Sequence, residues 1–246
     1  MKDKLLVGRK PVLDAISAGT ELEKVWISTT LKGDVEKELR ALTRSQDIPL
    51  QYVPAEKISS ITSTKQHQGV AAMLSLVEYH KTEDVLPHLY EQGKTPALLV
   101  LDGIEDVRNL GALARSAVWF GMDAIIIGTK RSARVNAFAY KASAGAIKDI
   151  IICREPSLTK ALQFLKDSGV QILVSGMDAS DEISNINYQE PIALVMGSEG
   201  KGVVRELVAM ADGRVHIPGT AKVESLNVSV AGAILMYDVF RKRNIK

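Results

Sequence analysis

Three stretches between residues 101 and 232 carry residues whose types and spacing could do chemistry, and the most informative is residues 223–232. It places Ser225, Asn227 and Ser229 among apolar neighbours in the order V-E-S-L-N-V-S-V-A-G. Uncharged polar side chains in an apolar setting cost free energy unless they form hydrogen bonds. The pattern therefore predicts either the N-cap of a core helix or contacts with a ligand, and this segment alone favours neither.

A second stretch, residues 101–115, is predicted to run from a strand through a polar loop into a helix that begins near Asn109. Arg115 lies six residues further on and does not share a helical face with Asn109 by simple spacing. Gly111, in the first turn, would allow another backbone to approach closely. Taken in isolation, an asparagine cap and an exposed arginine are the favoured interpretation.

The third stretch, residues 195–203, is a glycine-rich turn after a predicted strand. It is not a phosphate loop, because two residues rather than four separate Gly197 from the Gly-Lys pair. Gly202 also stands where a serine or threonine would hold magnesium. Glu199 would repel a phosphate here, but it could accept hydrogen bonds from ribose hydroxyls or backbone amides.

Short apolar runs alternate with helical patterns, which predicts an α/β fold with a parallel sheet covered on both faces. We expect a small α/β unit over residues 1–77, a linker with one helix over 78–95, and a second α/β unit over 96–246. In such sheets ligands bind beyond the carboxyl ends of strands, and each of the three stretches follows a predicted strand. The expected strands of the second unit are 97–101, 124–127, 150–153, 171–174, 192–196 and 215–217, with helices near 110–120, 137–144, 158–166, 203–210 and 226–243.

The bulk properties of the 246 residues are those of an ordinary globular protein, with 46% hydrophobic and 24% charged residues. No apolar run is long enough to span a bilayer, and the N-terminal residues have scattered charges without an apolar signal region, so we expect a cytoplasmic protein. Cys153 is predicted to be a buried strand thiol, and the lack of a Cys/His cluster argues against a metal site.

The formal net charge of +2 does not by itself indicate a nucleic-acid partner. The residues from 130 to 148 nevertheless include no acidic residue, and they are our candidate for RNA contact. The candidate contacts are Lys130, Arg131, Arg134 and Lys141.

Together, the three stretches resemble the motifs of the SpoU/TrmH family of RNA ribose 2′-O-methyltransferases, within the SPOUT superfamily. The family's glycine turn is matched by Gly197, Glu199, Gly200 and Gly202, and its other two motifs by Asn109, Gly111 and Arg115 and by Ile217, Pro218 and residues 225–229. A weaker match is K-A-S-x-G-A at 141–146. Residues 1–77, with Gly8 and 68–70 (Q-G-V), resemble the small RNA-binding domain similar to ribosomal protein L30e. Many members have proline where Val107 stands, a departure that removes no functional group.

The resemblance implies that residues 96–246 form a SPOUT domain with a deep trefoil knot that binds S-adenosylmethionine. Carried over residue by residue, the cofactor site would include Gly197, Ile217 and Leu226, with Met196 and the strand end 175–177, including Gly176, as weaker candidates. Arg115 resembles the catalytic arginine, for which an electrostatic role is physically easier than a role as base. Asn109, Glu199, Ser225 and Asn227 would orient Arg115 and the ribose. Members act as homodimers through the first-motif helix and the final helix.

Several functions remain open at this point. A guanosine of 23S rRNA is the favoured substrate because of the N-terminal unit, and a tRNA guanosine is the alternative. A catalytically inactive RNA-binding relative is a second alternative, although every motif residue is present. A Rossmann-type oxidoreductase is disfavoured because neither unit has the dinucleotide-binding glycine spacing.

Overall fold

The computed structural model describes residues 4–176, 179, 181–220 and 222–244, and it divides the chain into two units, residues 1–78 and 79–246. The first unit is a mixed four-stranded sheet in the order β1-β4-β2-β3. Only the β2–β3 pair is parallel. Its elements are β1 (Leu5–Val7), α1 (Arg9–Ser17), β2 (Leu22–Ser28), α2 (Asp34–Ser45), β3 (Leu50–Val53), α3 (Ala55–Thr62) and β4 (Val70–Leu74).

Helices cover both faces of this small sheet because each has one apolar side. On α1, Val12 and Ile16 are four residues apart and fully buried, and Leu39 of α2 joins them in the same core. Ile58 of α3 packs on the opposite face, against Trp26 of β2. The first unit therefore has the covered α/β architecture that the alternation of its sequence predicts.

The second unit contains an eight-stranded sheet in the order β10-β12-β9-β11-β6-β7-β8-β5, in which every pair is parallel. Its strands are β5 (Tyr79–His80), β6 (Ala97–Asp102), β7 (Ala124–Gly128), β8 (Ile151–Glu155), β9 (Gln171–Ser175), β10 (Asp181–Glu182), β11 (Ile192–Gly197) and β12 (Gly213–His216). Its helices are α4 (Thr82–Glu91), α5 (Val107–Trp119), α6 (Ala137–Ala142), α7 (Leu158–Asp167), α8 (Arg205–Val208) and α9 (Val228–Asn244), with 3₁₀ turns at Ala146–Lys148 and Ile183–Asn185.

The central strands β6, β7 and β11 are almost wholly buried, as expected of continuous apolar runs in a parallel sheet. Helices α4, α7 and α8 bury Leu86, Leu162 and Leu207 in one core cluster. On the other face α5 and α9 pack closely, because a Cβ at Gly232 would lie 2.4 Å from Leu113. The predicted parallel sheet with covered faces is therefore confirmed.

Two helix starts differ from the sequence prediction, and each difference has a capping side chain as its cause. Helix α5 begins at Val107, because the Asp106 carboxylate accepts a hydrogen bond from the Arg108 amide. Val107 thus occupies the first helical position, which proline also favours. Helix α9 begins at Val228 rather than Leu226, because the Asn227 side chain accepts from the Ser229 amide.

The segment predicted to be a linker, residues 78–95, lies within the second unit apart from Glu78. Strand β5 pairs with β8, and α4 buries Val85, Leu86 and Leu89 in the core of that unit. Helix α8 is also shorter than the expected helix at 203–210, since Val204 is extended and its amide is bound by the Asp102 carboxylate.

The end of α9 is held by the loop at 183–190. The Lys242 ammonium donates to the carbonyls of Ile183, Ser184 and Ile186, and the Arg243 guanidinium donates to those of Tyr188 and Glu190. The trefoil knot stays a prediction. Within the described parts of the chain, no helix combines the length and the apolarity that a membrane crossing requires.

Candidate functional site

The centre of the large sheet contains a topological switch point, which is where parallel α/β sheets bind ligands. Strands β6 and β11 are neighbours, and the chain leaves β6 toward β7 but leaves β11 toward β12, on the opposite side. A pocket of about 320 Å³ opens between the two loops that leave these strands. It is lined by Gly103, Ile104, Glu105, Asp106, Asn109, Arg131, Ser198, Glu199, Lys201 and Val228.

The glycine-rich turn after β11 folds back on itself and presents Glu199 at its tip. The Gly202 amide donates to the Ser198 carbonyl at 2.9 Å. A Cβ at Gly197 would lie 2.0 Å from the carbonyl carbon of Gly202, so only glycine permits this approach. Gly200 has a φ of +83°, which also favours glycine. The turn is therefore built to hold the exposed Glu199 carboxylate beyond the strand end.

One polar cluster joins the three predicted motifs. The Asn109 side-chain amide donates to Glu199 Oε1 at 3.3 Å. The Asn227 amide donates to the same oxygen and, at 3.2 Å, to Asn109 Oδ1. A carboxylate can only accept hydrogen bonds, so both amide nitrogens must face Glu199. Asn227 Oδ1 then faces Ser229, whose amide and hydroxyl both donate to it.

Asn227 therefore takes the helix-cap role, one of the two that the sequence left open, while its contact with a ligand stays a prediction. Its oxygen caps α9, while its nitrogen belongs to the polar cluster. The helix cap consequently fixes the direction in which the amide nitrogen points. The cluster as a whole holds Asn109, Glu199 and Asn227 in one arrangement at the switch point, where their remaining polar atoms can meet a ribose.

Asp102, a residue that the sequence analysis missed, supports both sides of this site. It is buried at the end of β6, and its Oδ2 accepts from the Val204 amide at 2.8 Å. Its Oδ1 lies 3.8 Å from the guanidinium of Arg131, which lines the pocket. A charge at the last position of an apolar strand was the available sequence signal. Buried carboxylates are rarely left unpaired, so such a residue indicates bound partners.

The expected cofactor residues lie at the same edge of the sheet, on neighbouring strands. Gly176 follows β9, Gly197 ends β11 and Ile217 follows β12, and these three strands are adjacent in the sheet. The Gly176 amide donates to the Val215 carbonyl. Leu226 is 42% exposed in the segment that precedes α9. The Met196 side chain is instead buried and lies near Gly232, so only its backbone could face a cofactor. Met177, at the strand end 175–177, lies outside the described residues.

Arg115 and Ser225 are not brought into the polar cluster. Both are exposed, and neither side chain forms a hydrogen bond or ion pair with any other residue that the structure describes. Six residues at about 100° each turn Arg115 well away from Asn109 around α5, and about 9 Å along it. Arg115 instead shares an exposed side of α5 with Trp119, which is 80% exposed.

The four candidate RNA contacts occupy different environments. Lys130, Arg131 and Lys141 are exposed, whereas Arg134 is half-buried and has an interaction partner. Arg131 alone of the four lines the pocket, and its backbone has a φ of +51°. The structure thus connects the basic stretch to the polar site through Arg131.

Cys153 is buried, as predicted. Burial raises the pKa of its thiol to about 12, and the neighbouring Glu155 charge acts in the same direction. The thiolate, which is the reactive form, is therefore negligible near neutral pH. Among the described residues, no group of three or more His, Cys, Asp or Glu side chains could hold a metal ion.

Comparison with known families gives matches to both units. The model of the SpoU rRNA methylase family matches residues 96–237, and the model for RNA 2′-O ribose methyltransferase substrate binding matches residues 5–80. The YacO protein of Bacillus subtilis, which is assigned to the TrmH family of tRNA/rRNA methyltransferases, is 35% identical over 240 residues. The alignment covers 97% of this chain and 96% of YacO. A Staphylococcus saprophyticus protein of the same assignment is 37% identical, with 99% of this chain and 98% of that protein covered.

Solved structures share the fold. An rRNA methyltransferase from Sinorhizobium meliloti bound to AdoMet (S-adenosylmethionine) superposes with a TM-score of 0.61 at 24% identity. The superposition covers 98% of this chain and 88% of that one. The SpoU methyltransferase AviRb from Streptomyces viridochromogenes, in complex with AdoMet, gives 0.62 at 18% identity, covering 97% and 90%. The family models and the relatives, which span both units, show that this chain belongs to the SpoU/TrmH family of RNA methyltransferases.

Proposed function

We propose that the chain uses S-adenosylmethionine to methylate a ribose 2′-oxygen of RNA in the pocket between the loops that follow β6 and β11. The observation that carries the proposal is the polar cluster, because it joins Asn109, Glu199 and Asn227 from three separate motifs at the switch point. Amide and carboxylate groups suit the hydroxyls of a ribose, which both donate and accept hydrogen bonds.

The sheet edge beside the pocket fits the proposed cofactor. Gly176, Gly197 and Ile217 bring backbone groups together at three adjacent strand ends. Ile217 is half-buried and Leu226 is exposed, so apolar side chains are available to contact an adenine ring. When bound, S-adenosylmethionine supplies an activated methyl group, and the protein must align the ribose hydroxyl and help its proton leave. AdoMet in the two structural neighbours supports this choice.

The polar cluster would perform the alignment. With Glu199 held by two amides, its second oxygen remains able to accept a hydrogen bond from a ribose hydroxyl. Asn109 and Asn227 fix the carboxylate, and Ser225, just before the cap of α9, would contact the ribose. Arg115 would stabilise the negative charge that develops as the hydroxyl loses its proton, because guanidinium stays protonated.

We propose that Arg115 reaches this reaction from a second copy of the chain. It points away from its own cluster and shares an exposed side of α5 with Trp119. On α9, Val230 and Tyr237 are 48% and 47% exposed, and Phe120 packs edge-on against Tyr237 across the two helices. An exposed apolar surface of this kind is typical of a protein interface. A homodimer through α5 and α9 would cover it and place Arg115 near the partner's pocket.

The proposed substrate is a guanosine of 23S rRNA, with a tRNA guanosine as the second candidate. The match of residues 5–80 to a model for RNA 2′-O ribose methyltransferase substrate binding supports an RNA substrate, and the relatives are assigned to both tRNA and rRNA. Exposed Lys130, Arg131 and Lys141, with the half-buried Arg134, would contact phosphates beside the pocket.

Mass mapping of 2′-O-methylated nucleotides in RNA from a deletion strain tests the proposal. One nucleotide of 23S rRNA should lose its methyl group, and the purified protein should restore it with S-adenosylmethionine. Loss from tRNA alone would select the second substrate. An unchanged methylation map, together with no transfer to unmodified RNA in vitro, would instead support the inactive RNA-binding relative.

A further inference from the structure

The basic stretch 130–148 carries an exposed aromatic ring that the proposed reaction does not use. Phe138 of α6 is 71% exposed, although burying a phenylalanine side chain is worth about 1.5–3 kcal/mol. The stretch around it has no acidic residue. Its cations are Lys130, Arg131, Arg134, Lys141 and Lys148.

The backbone that carries Phe138 is rigidly placed. The Asn136 side chain caps α6 by accepting hydrogen bonds from the amides of Phe138 at 2.9 Å and Ala139 at 3.1 Å. Helix α6 also lies directly on α5, since a Cβ at Gly111 would be 2.5 Å from the Ala139 carbonyl oxygen. The backbone at Phe138 is therefore fixed beside the helix that carries Asn109 of the polar cluster.

The chain between the pocket and α6 is also held. Arg131 lines the pocket, the Ala133 amide donates to the Ile104 carbonyl at 2.7 Å, and the Val135 amide donates to the Tyr79 hydroxyl at 3.0 Å. Lys141 is exposed and lies three residues after Phe138, on the same side of α6. A cation at the pocket, an exposed aromatic ring and a second exposed cation thus follow one another along this part of the chain.

We propose that Phe138 is a stacking platform for an unpaired RNA base that neighbours the target nucleotide. The inference rests on the proposed function, which makes RNA the substrate. Bases of single-stranded RNA stack on exposed aromatic rings, while cations beside the ring neutralise the flanking phosphates. Lys141, on the same side of α6, and Arg131, at the pocket, would supply those cations. The stacked base is not the methylated one, because Phe138 is not among the residues that line the pocket.

The charges around Phe138 favour RNA over a second copy of the chain. The cores of protein interfaces are depleted of charged residues, whereas Phe138 stands among cations. The exposed apolar residues Trp119, Val230 and Tyr237 lie instead on α5 and α9, where the proposed dimer forms. A contact between copies through Phe138 is therefore the alternative that the experiment must separate.

Two substitutions distinguish stacking from general apolar contact. Phe138→Leu keeps an apolar side chain and removes the ring, whereas Phe138→Tyr keeps the ring. In fluorescence anisotropy with a labelled oligouridylate at constant salt, the Leu variant should bind roughly 5- to 150-fold more weakly, and the Tyr variant within about twofold of the unchanged protein. Equal affinity of the Leu variant and the unchanged protein would overturn the proposal.

A salt series separates the ring from the charges. Lys141→Ala should reduce the slope of log K against log salt by about 0.7, because one phosphate contact is lost, while Phe138→Leu should leave the slope unchanged. Phe138→Trp adds a direct signal, since oligouridylate should quench its emission beyond any change seen with Trp26 and Trp119 alone. Absence of this quenching counts against stacking.

Failure of the proposal can be distinguished from failure of the proposed function. If the unchanged protein methylates RNA but Phe138→Leu has unaltered RNA affinity, only the stacking role is overturned. If oligouridylate binds through Phe138 but no RNA receives a methyl group, only the proposed reaction is contradicted. Sedimentation of Phe138→Leu as a monomer, with RNA affinity unchanged, would assign the ring to a contact between copies and overturn the proposal.

Discussion

The two halves of helix α5 differ in whether their polar side chains are hydrogen-bonded. In the first half, Asn109 is fixed by Glu199 and Asn227, and the cap residue Asp106 is bonded to Arg108. The Arg108 side chain also holds the pKa of Asp106 below its ordinary value. In the second half, the Arg115 side chain is exposed and has no hydrogen bond to any described residue.

This difference indicates which part of the site one chain completes alone. The loops after β6 and β11 position Asn109 and Glu199 before any ligand arrives, so little side-chain entropy remains to be lost there. Arg115 still has that freedom and must be ordered by something outside its own chain. A phosphate, a ribose or a second subunit could do so, and the experiments below separate these roles.

Removal of the Arg115 guanidinium should have the largest effect. Arg115→Ala should lower the single-turnover rate of methyl transfer by about 10²–10³, because a group that stabilises transition-state charge is lost. Binding of S-adenosylmethionine, measured by calorimetry, should be unchanged. Arg108→Ala is the matched control, since Arg108 is also an exposed arginine of α5 and its side chain bonds, among the described residues, to Asp106 alone. Equal losses in both variants would contradict a specific role for Arg115.

Mixing two inactive variants tests whether Arg115 acts in the partner's site. A heterodimer of Arg115→Ala and Glu199→Ala would contain one site with both residues intact. Random exchange of subunits should therefore restore about a quarter of the original activity. If Arg115 acts on its own chain's cluster, the mixture stays inactive. The exposure of Arg115 would then not be explained by an active site that two subunits share.

Substitution of Glu199, in the polar cluster that a single chain completes, should lower activity by a smaller factor than substitution of Arg115. Glu199→Gln keeps an acceptor oxygen but removes the charge that receives two amide hydrogen bonds. Hydrogen bonds to charged groups are worth about 1–2 kcal/mol more than neutral ones, so kcat/KM should fall roughly tenfold. Glu206→Gln, at an exposed position of α8, is the control. If Glu199→Gln were as active as the unchanged protein, the cluster would have only a structural role.

The sequence predicted the sheet, its covered faces and the three motif stretches, because apolar runs and glycine spacing are local signals. It did not predict which motif residues meet. Asn109 meets Glu199 and Asn227, which are 90 and 118 positions away, whereas Arg115, six residues further along the same helix, is turned away from Asn109 as their spacing indicated. Asp102 was missed because its importance depends on Val204, a residue 102 positions away.

The smallest effect on activity concerns the exposed half of α5, because a change there acts on subunit association and its effect on activity is reversed as enzyme concentration rises. Trp119→Ala should weaken the proposed dimer by roughly 30-fold or more, since a central tryptophan is a typical interface hot spot. Sedimentation velocity should show more monomer at micromolar protein, and specific activity should rise with enzyme concentration as subunits reassociate. Tyr90→Ala, at an exposed aromatic residue of α4, should leave both unchanged. A Trp119→Ala monomer with full activity at every concentration would mean that Arg115 works within its own chain.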